Sequence, residues 1–136
     1  MYDKLTDHNI HSAVNMYLSN SRDESIIKYG IIDNWDTSQI TNMCSLFLDR
    51  IYFNEDISKW NTSQVTNMSY MFKNATNFNQ DINTKNIELE LELELELELE
   101  LELDNIKYVA WDISKVTDMT YMFNNCKKFN QSLNSW

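Results

Sequence analysis

The sequence predicts a repeat solenoid with an N-terminal capping α-helix. Two observations lead to this fold class: a 25-residue pattern recurs along the chain, and an apolar helical stripe precedes its first occurrence. A unit of this size cannot enclose a core by itself, so successive units normally stack and bury their apolar faces against one another. With 136 residues, of which 43% are hydrophobic, the chain is expected to form one folded domain.

The repeat becomes visible when three tryptophans are aligned. The aligned segments read WDTSQITNMCSLFLDRIYFNEDISK from Trp35, WNTSQVTNMSYMFKNATNFNQDINT from Trp60 and WDISKVTDMTYMFNNCKKFNQSLNS from Trp111. Apolar residues recur at fixed offsets, and the matching sets are Ile40, Val65 and Val116; Met43, Met68 and Met119; Phe47, Phe72 and Phe123; Phe53, Phe78 and Phe129; and Ile57, Ile82 and Leu133. We predict that the rings of Phe47, Phe72 and Phe123 are buried and stacked along one axis, as are those of Trp35 and Trp60.

Each unit is expected to contain a short helical turn and a short β-strand. Met68, Met71, Phe72 and Ala75 have the spacing of one helical face. The segments FNEDISKW and FNQDINT are expected to be strands that pair between successive units. The chain has one glycine and no proline, so the turns, such as WDTS and WNTS, depend on Asp, Asn and Ser.

The segment before Trp35 is expected to cover the open end of the stack. Its apolar stripe has helical spacing and consists of Ile10, Ala13, Val14, Tyr17 and Leu18. Thr6 and Asp7 precede it as candidate capping residues. The predicted organisation is therefore a helical cap over residues 1–34 and a repeat array over residues 35–136. The array comprises units 35–59, 60–84 and 111–135, with an aberrant unit at 85–110.

The aberrant unit contains a Glu-Leu tract, residues 88–103, in which the dipeptide occurs eight times. Strict alternation cannot supply adjacent apolar residues such as Met71 and Phe72, so the tract cannot fold as an ordinary unit. Alternation places all leucines on one side of an extended chain, which favours a bent strand or a hairpin. A helix is the alternative, because Leu and Glu are both strong helix formers. If the strand is exposed, acid should promote its pairing with other copies of itself.

The charge distribution argues against a nucleic-acid partner. Eight of the 21 acidic residues lie in the tract, so 13 acidic residues face 11 basic ones elsewhere. Phosphate binding requires clustered Lys and Arg, which the sequence does not show. The N-terminus lacks the basic-then-apolar order of a signal peptide, and no apolar run of about 18 residues could span a bilayer.

The residues most capable of chemistry do not form a recognisable site. His8 and His11 lie one helical turn apart and could share a metal ion, but no third ligand is indicated, so two surface histidines are favoured. Cys44 and Cys126 are expected three units apart along the stack, too far for a disulfide. Neither cysteine has an activating partner in the sequence. We therefore expect no enzymatic activity, no cofactor and no metal site.

The repeat motif carries a resemblance to a known family. The pattern W-[DN]-T-S-x-[VI]-T-[ND]-M-x-x-[ML]-F, followed by F-N-Q-D-I, resembles BspA-like leucine-rich-repeat surface proteins, in the variant common in mycoplasma lipoproteins and also found in large DNA viruses. The resemblance covers residues 35–82 and 111–136 and implies a leucine-rich-repeat-like solenoid, often displayed on a surface, with mostly undefined partners. It does not supply an enzymatic activity. Arg50 departs from the pattern, because Ala75 and Cys126 occupy its position in the other units.

The leading functional interpretation is a non-catalytic module for protein–protein or surface recognition. Its partner would be a protein or a cell-surface ligand, bound through a polar surface that comprises Glu55, Ser58, Lys59, Gln80, Asp81 and Asn83. Self-association through the Glu-Leu tract or the uncapped C-terminal end is a further expectation. The alternatives are a degenerate or truncated repeat-gene product without a binding role and, third, a hydrolase or other enzyme. The expected location is cytoplasmic or virion-associated unless the chain is a fragment of a surface protein.

Overall fold

The computed structural model describes residues 1–88 and 106–136, in which regular secondary structure is sparse. Its regular elements are the helices α1 (Ile10–Tyr17) and α2 (Arg22–Tyr29), a 3₁₀ helix (Ile32–Asn34), and the strands β1 (Lys85–Glu88) and β2 (Ile106–Ala110). Most of the remaining described chain consists of consecutive turns. The buried apolar residues of the helices and of these turns form one core.

Helix α1 confirms the predicted N-terminal helix. The buried residues Ile10, Ala13, Val14 and Tyr17 all belong to the predicted stripe, and α1 packs on α2. Asp7 does not cap this helix, because the N-cap position is Asn9 and its side chain makes no capping hydrogen bond. Helix α2 was not predicted, and its sequence RDESIIKY buries only Ser25 and Tyr29, which leaves almost no apolar periodicity to detect.

The three tryptophan-led segments, here called the first copy (35–59), the second copy (60–84) and the last copy (111–135), lie in register. The N–H groups of Met43 and Phe47 donate to the carbonyl oxygens of Asn67 and Met71, both at 2.9 Å. Corresponding bonds run from the second copy to the last, for example from Phe72 N–H to the Met122 carbonyl at 2.9 Å. The second and last copies are therefore in direct contact, although residues 85–110 separate them in the sequence.

Aromatic rings stack between the copies, as predicted. The centroids of Phe47 and Phe72 are 5.6 Å apart, and those of Phe72 and Phe123 are 5.7 Å apart. Trp35 and Trp60 stack at 6.1 Å. The predicted burial is confirmed for Phe47 and Phe72, which are fully buried, but Phe123 is only partly buried.

The predicted leucine-rich-repeat-like solenoid, with a short β-strand plus a short helical turn in each unit, is wrong. In the described ranges the helices all precede Trp35, and the sheet has only the two antiparallel strands β1 and β2. The copies are joined instead by isolated bridges, from Asn42 to Asn67 and from Asn67 to Asp118. The described residues form a compact small domain built mainly of turns.

Backbone geometry and side-chain bonding explain both failures. The segment MSYMFKNA is not helical because Tyr70 and Asn74 have φ values of 59° and 61°, which a right-handed helix excludes. The segment FNQDINT is not a strand because side chains replace part of the backbone ladder. Asn79 N–H, for example, donates to the side chain of Asn54 at 2.8 Å, and Asn130 N–H donates to that of Asn79 at 2.8 Å.

The expected Asx turns are confirmed in all three copies. The side-chain oxygen of Asp36 accepts the N–H of Ser38 at 3.0 Å, and Asn61 and Asp112 bond Ser63 and Ser114 in the same way. These short side chains perform the turning for which the chain has no proline and one glycine.

Strands β1 and β2 bring the two flanks of the Glu-Leu tract together. Lys85 is opposite Ala110 and Glu88 is opposite Ile106, with an irregularity in register between Ile87 and Glu88. The predictions of a bent strand, a hairpin or a helix for the tract itself fall on residues that lie outside the described ranges.

Candidate interaction surfaces

The polar residues predicted to bind a partner are largely engaged within the chain. Gln80 Nε2 donates to the Asn54 carbonyl at 2.9 Å, and Asn83 Nδ2 donates to the Asn134 side chain at 2.8 Å. Asp81 pairs with Lys85 at 3.3 Å. The contacts of Gln80 and Asn83 join the second copy to the first and to the last copy, so this surface partly serves to connect the copies.

The other three predicted residues do not share one arrangement. The N–H of Ser58 donates to the side chain of Asp56 at 2.9 Å, which is another Asx turn. The carbonyl of Lys59 accepts the Tyr108 hydroxyl at 2.5 Å, while the Lys59 residue is exposed. Glu55 points elsewhere, towards the N-terminal helices.

Glu55 belongs to a groove of about 380 Å³ between the helices and the first copy. One wall is formed by the C-terminal end of α1 and the start of α2. The other wall is formed by residues 49–53 and Glu55 of the first copy. The lining residues are Tyr17, Leu18, Ser19, Arg22, Asp49, Arg50, Ile51, Tyr52, Phe53 and Glu55. Of these ten residues only Glu55 was predicted as a site residue.

Arg22 is the central charged group of the groove. Its Nη1 lies 3.0 Å from Glu55 Oε1, its Nη2 donates to the Tyr17 hydroxyl at 2.9 Å, and its guanidinium carbon is 4.1 Å from the Tyr17 ring centroid. The hydrogen bond to Glu55 raises the pKa of Arg22 above its ordinary value, against the opposing effect of partial burial. The guanidinium therefore stays charged and fixed, and it remains accessible because its side chain is 43% exposed.

The opposite wall of the groove presents apolar and aromatic surface. Tyr52 is 83% exposed and Ile51 is 44% exposed. The guanidinium of Arg50 bonds to the Asn15 side chain, which joins this wall to α1. The sequence signal for this wall was the departure of Arg50 from the repeat pattern, where the other copies have Ala75 and Cys126. Tyr17 gave no such signal, because its place in the apolar stripe of α1 explained it fully.

The groove can therefore offer a ligand a fixed cation, carboxylate oxygens and an exposed ring. Tyr and Arg are the residue types that most often supply binding energy at protein interfaces. The hydroxyl of Ser19, which also lines the groove, donates to the Met16 carbonyl at 2.9 Å and accepts the Ser21 N–H at 3.2 Å.

Comparison with protein families places the chain. The family model described as "Mycoplasma protein of unknown function, DUF285" matches residues 12–136. The chain belongs to the DUF285 family. The match supports the predicted resemblance at the coarse level of a repeat family, since BspA-like repeat proteins carry this domain. No curated protein and no solved structure matches the chain.

Membership in the DUF285 family assigns no role to the histidines and cysteines. His11 Nε2 lies 2.9 Å from the Cys44 carbonyl oxygen, and His8 is exposed. Within residues 1–88 and 106–136, no group of three or more His, Cys, Asp or Glu is placed to hold a metal ion.

The two cysteines of this DUF285 chain are free thiols on opposite sides of the second copy. Cys44 Sγ accepts the Ser69 hydroxyl at 3.3 Å, and Cys126 Sγ donates to the Ala75 carbonyl at 3.2 Å. They are separated by one intervening copy and not by the two that the sequence implied. Burial raises the pKa of the Cys126 thiol to about 11, so this thiol is protonated at neutral pH.

The helices of the described part of the DUF285 chain do not reach across a membrane. Helices α1 and α2 have 8 residues each, and neither they nor any other described helix forms an apolar span of sufficient length.

Proposed function

We propose that the protein is a non-catalytic recognition module of the BspA-like type, which binds a protein or a cell-surface ligand through the groove around Arg22. The observation that carries this proposal is the joint presence of a fixed, accessible guanidinium and the exposed Tyr52 ring on opposite walls of one groove. Family membership supports a repeat protein in general terms. The groove is the surface through which we propose that the partner binds.

The chemistry of the groove favours a partner with both polar and apolar parts. The Arg22–Glu55 pair presents a donor and an acceptor side by side, at 43% and 32% side-chain exposure. Partly exposed charged pairs of this kind contribute to specificity and association rate more than to affinity. Tyr52 and Ile51 add apolar area, which supplies the affinity. A protein surface offers such a combination, and we infer that a protein is the partner.

The proposal is tested by quantitative capture. Immobilised protein should retain a specific component of a host or cell-surface extract in a saturable manner. Tyr52→Ala should reduce retention of that component at least about tenfold, the change that corresponds to 1.4 kcal/mol and is typical of the loss of an interface anchor. Ile27→Ala is the matched control, because Ile27 is also a large exposed residue, at 78%, but lies on α2 outside the groove.

Three kinds of outcome would contradict the proposal. Equal loss in both variants, or in neither, would remove the groove as the binding surface. The absence of any saturable component would favour the alternative interpretation of a repeat-gene product without a binding role. Turnover of a substrate that is abolished by Cys44→Ala or His11→Ala would instead support an enzyme.

A further inference from the structure

Two neighbouring residues of each copy occupy the same outer position and together form a strip along the side of the stack. In the first copy these residues are Ile51 and Tyr52, which also line the groove. The strip, here called the side strip, consists of Ile51, Tyr52, Thr76, Asn77, Lys127 and Lys128. It therefore begins at the groove and leads away from it across the other two copies.

Hydrogen bonds between the copies make the side strip continuous. The N–H of Asn77 donates to the Ile51 carbonyl at 3.2 Å, and the N–H of Lys128 donates to the Thr76 carbonyl at 3.1 Å. The Thr76 hydroxyl also donates to the Ile51 carbonyl at 3.3 Å. Since each bond joins one copy to the next, the strip runs along the stack in a fixed order, with apolar residues at the groove, polar residues in the middle and basic residues beyond them.

The basic part of the side strip carries two lysines that make no ion pair within the described ranges. Lys127 and Lys128 are both exposed. The ion pairs among the described residues are those of Arg22 with Glu55, Lys28 with Asp3 and Lys85 with Asp81. Two adjacent like charges favour a partner that brings the opposite charge to this place.

The spacing of the copies sets the length of a ligand that reaches from the groove to the lysines. The phenylalanine rings of successive copies lie 5.6 and 5.7 Å apart, so two such spacings separate the first copy from the last. An extended peptide advances about 3.3 Å per residue, so about three to four residues bridge this distance. A nucleic acid fits less well, because its phosphates would meet Asp49 and Glu55, the carboxylates that line the groove.

We propose that the groove and the side strip together bind an extended acidic segment of a partner protein. One aromatic or apolar side chain of the segment packs on Tyr52, and an acidic pair about three to four residues away lies against Lys127 and Lys128. The inference rests on the function proposed above and adds the charge and the spacing of the partner. Exposed ion pairs add little affinity, so Tyr52 supplies most of the affinity and the lysines supply selectivity.

A library of random peptides displayed on phage, selected on the immobilised protein, tests the proposal without assuming a sequence. Selected peptides should carry an aromatic or large apolar residue and, about three to four positions away, an acidic pair. Selection on the double variant Lys127→Glu, Lys128→Glu should enrich basic residues at that position instead, because the strip then presents negative charge. Lys115→Glu is the matched control, since Lys115 is an exposed lysine of the same copy outside the strip.

A selected peptide, labelled with a fluorophore, then gives affinities by fluorescence anisotropy. The double charge reversal should weaken its binding at least about tenfold, and so should Tyr52→Ala. In the double variant Lys127→Gln, Lys128→Gln the salt dependence of binding should largely vanish, because salt screens interactions between charges. Lys115→Glu should bind like the native protein, and circular dichroism checks that each variant is folded.

Three results would overturn the inference. Selected peptides that require Tyr52, but carry no acidic pair at this spacing and bind the charge-reversed protein equally, would refute the role of the strip and leave the groove as a binding surface. Peptides that require the lysines but not Tyr52, or equal binding of poly-glutamate, would indicate nonspecific electrostatic adhesion. A selection without any saturable peptide that depends on Tyr52 would also refute it, while capture from extracts tests the groove separately.

Discussion

The two ends of the stacked copies differ in how far their apolar residues are covered. At the first end, the N-terminal segment covers the copy: the edges of the Tyr17 and Tyr29 rings contact Trp35 at centroid distances of 5.7 and 6.2 Å, and Asp7 bonds Thr41 and Asn42. At the last end, Trp136 stacks on Trp111 at 6.3 Å, but the copy's apolar residues remain partly exposed. The apolar residues of a copy are fully buried only when the copy has a neighbour on each side. Equivalent apolar residues in different copies should therefore differ in how much they contribute to stability.

The largest expected effect is on the second copy. Phe72→Ala should lower the free energy of unfolding by about 3–5 kcal/mol, because it creates a cavity between two other phenylalanine rings. Phe123→Ala should cost clearly less, since Phe123 is already partly exposed. Urea denaturation followed by tryptophan fluorescence measures both. Equal losses would mean that the partly exposed apolar residues of the last copy are covered in solution.

The sequence predicted the ring stacking because aromatic residues recur at fixed offsets, and periodicity reports which residues are equivalent. It failed on local conformation, since the helical spacing of Met68, Met71 and Phe72 does not reveal that Tyr70 has a φ of 59°. The left-handed backbone conformation is uncommon at tyrosine, so the residue type at this position does not indicate it. The strand prediction failed because side chains replace backbone acceptors between the copies. The side chains of Asn54 and Asn79 accept the backbone N–H groups of Asn79 and Asn130, and the sequence indicated such residues only as turn formers.

The groove was not predicted from the sequence, although one of its lining residues, Glu55, belongs to the predicted polar surface. Its position depends on how the helices pack against the first copy, which is a tertiary contact that repeat offsets do not encode. The role of Arg22 could not be predicted from the sequence, because α2 has almost no apolar pattern. In addition, the hydrogen bond from Arg22 to Glu55 joins residues 33 positions apart. The departure of Arg50 from the repeat was visible, but it indicated only a difference and not a surface.

The second prediction concerns the covered end. Asp7→Ala removes a carboxylate that accepts three hydrogen bonds from Thr41 and Asn42, one of them from the Thr41 hydroxyl at 2.5 Å. The free energy of unfolding should fall by about 1–2 kcal/mol, as expected for hydrogen bonds to a largely exposed charged group. Asp3→Ala is the control, because the Asp3 carboxylate makes a long contact of 3.9 Å with Lys28, and the backbone N–H bond from Asp3 to the Lys28 carbonyl at 2.8 Å survives the substitution. A similar loss in both variants would remove the special role of Asp7.

The third prediction is the pH dependence of the same contact. Partial burial would raise the pKa of Asp7, but the hydrogen bonds from Thr41 and Asn42 and the charge of His11 lower it below its ordinary value. A lowered folded-state pKa means that the stabilisation is present above the unfolded value of about 3.9 and is lost as pH falls through the folded value. The stability difference between the native protein and Asp7→Asn should therefore be constant near neutral pH and shrink below about pH 4.

Measuring this difference isolates Asp7 from Asp56 and Asp118, whose pKa values are also lowered. Thermal unfolding of both proteins across the acid range gives the comparison. A difference that grows as pH falls would have the wrong sign for a lowered pKa and would show that the protonated carboxyl is the better partner for Thr41.

The smallest expected effect is at the groove. The Arg22–Glu55 pair is 43% and 32% exposed, so solvent and salt screen it, and a double-mutant cycle with Arg22→Gln and Glu55→Gln should give a coupling energy of about 0–1 kcal/mol. The Asp81–Lys85 pair at 3.3 Å, which has no aromatic ring attached, is the comparison and should couple no more strongly. A coupling well above this range would mean that Arg22 chiefly fastens α2 to the first copy. A small coupling, combined with loss of ligand capture in Arg22→Gln, would mean that the guanidinium is held in place for a partner, because its removal would then cost binding without a matching cost in stability.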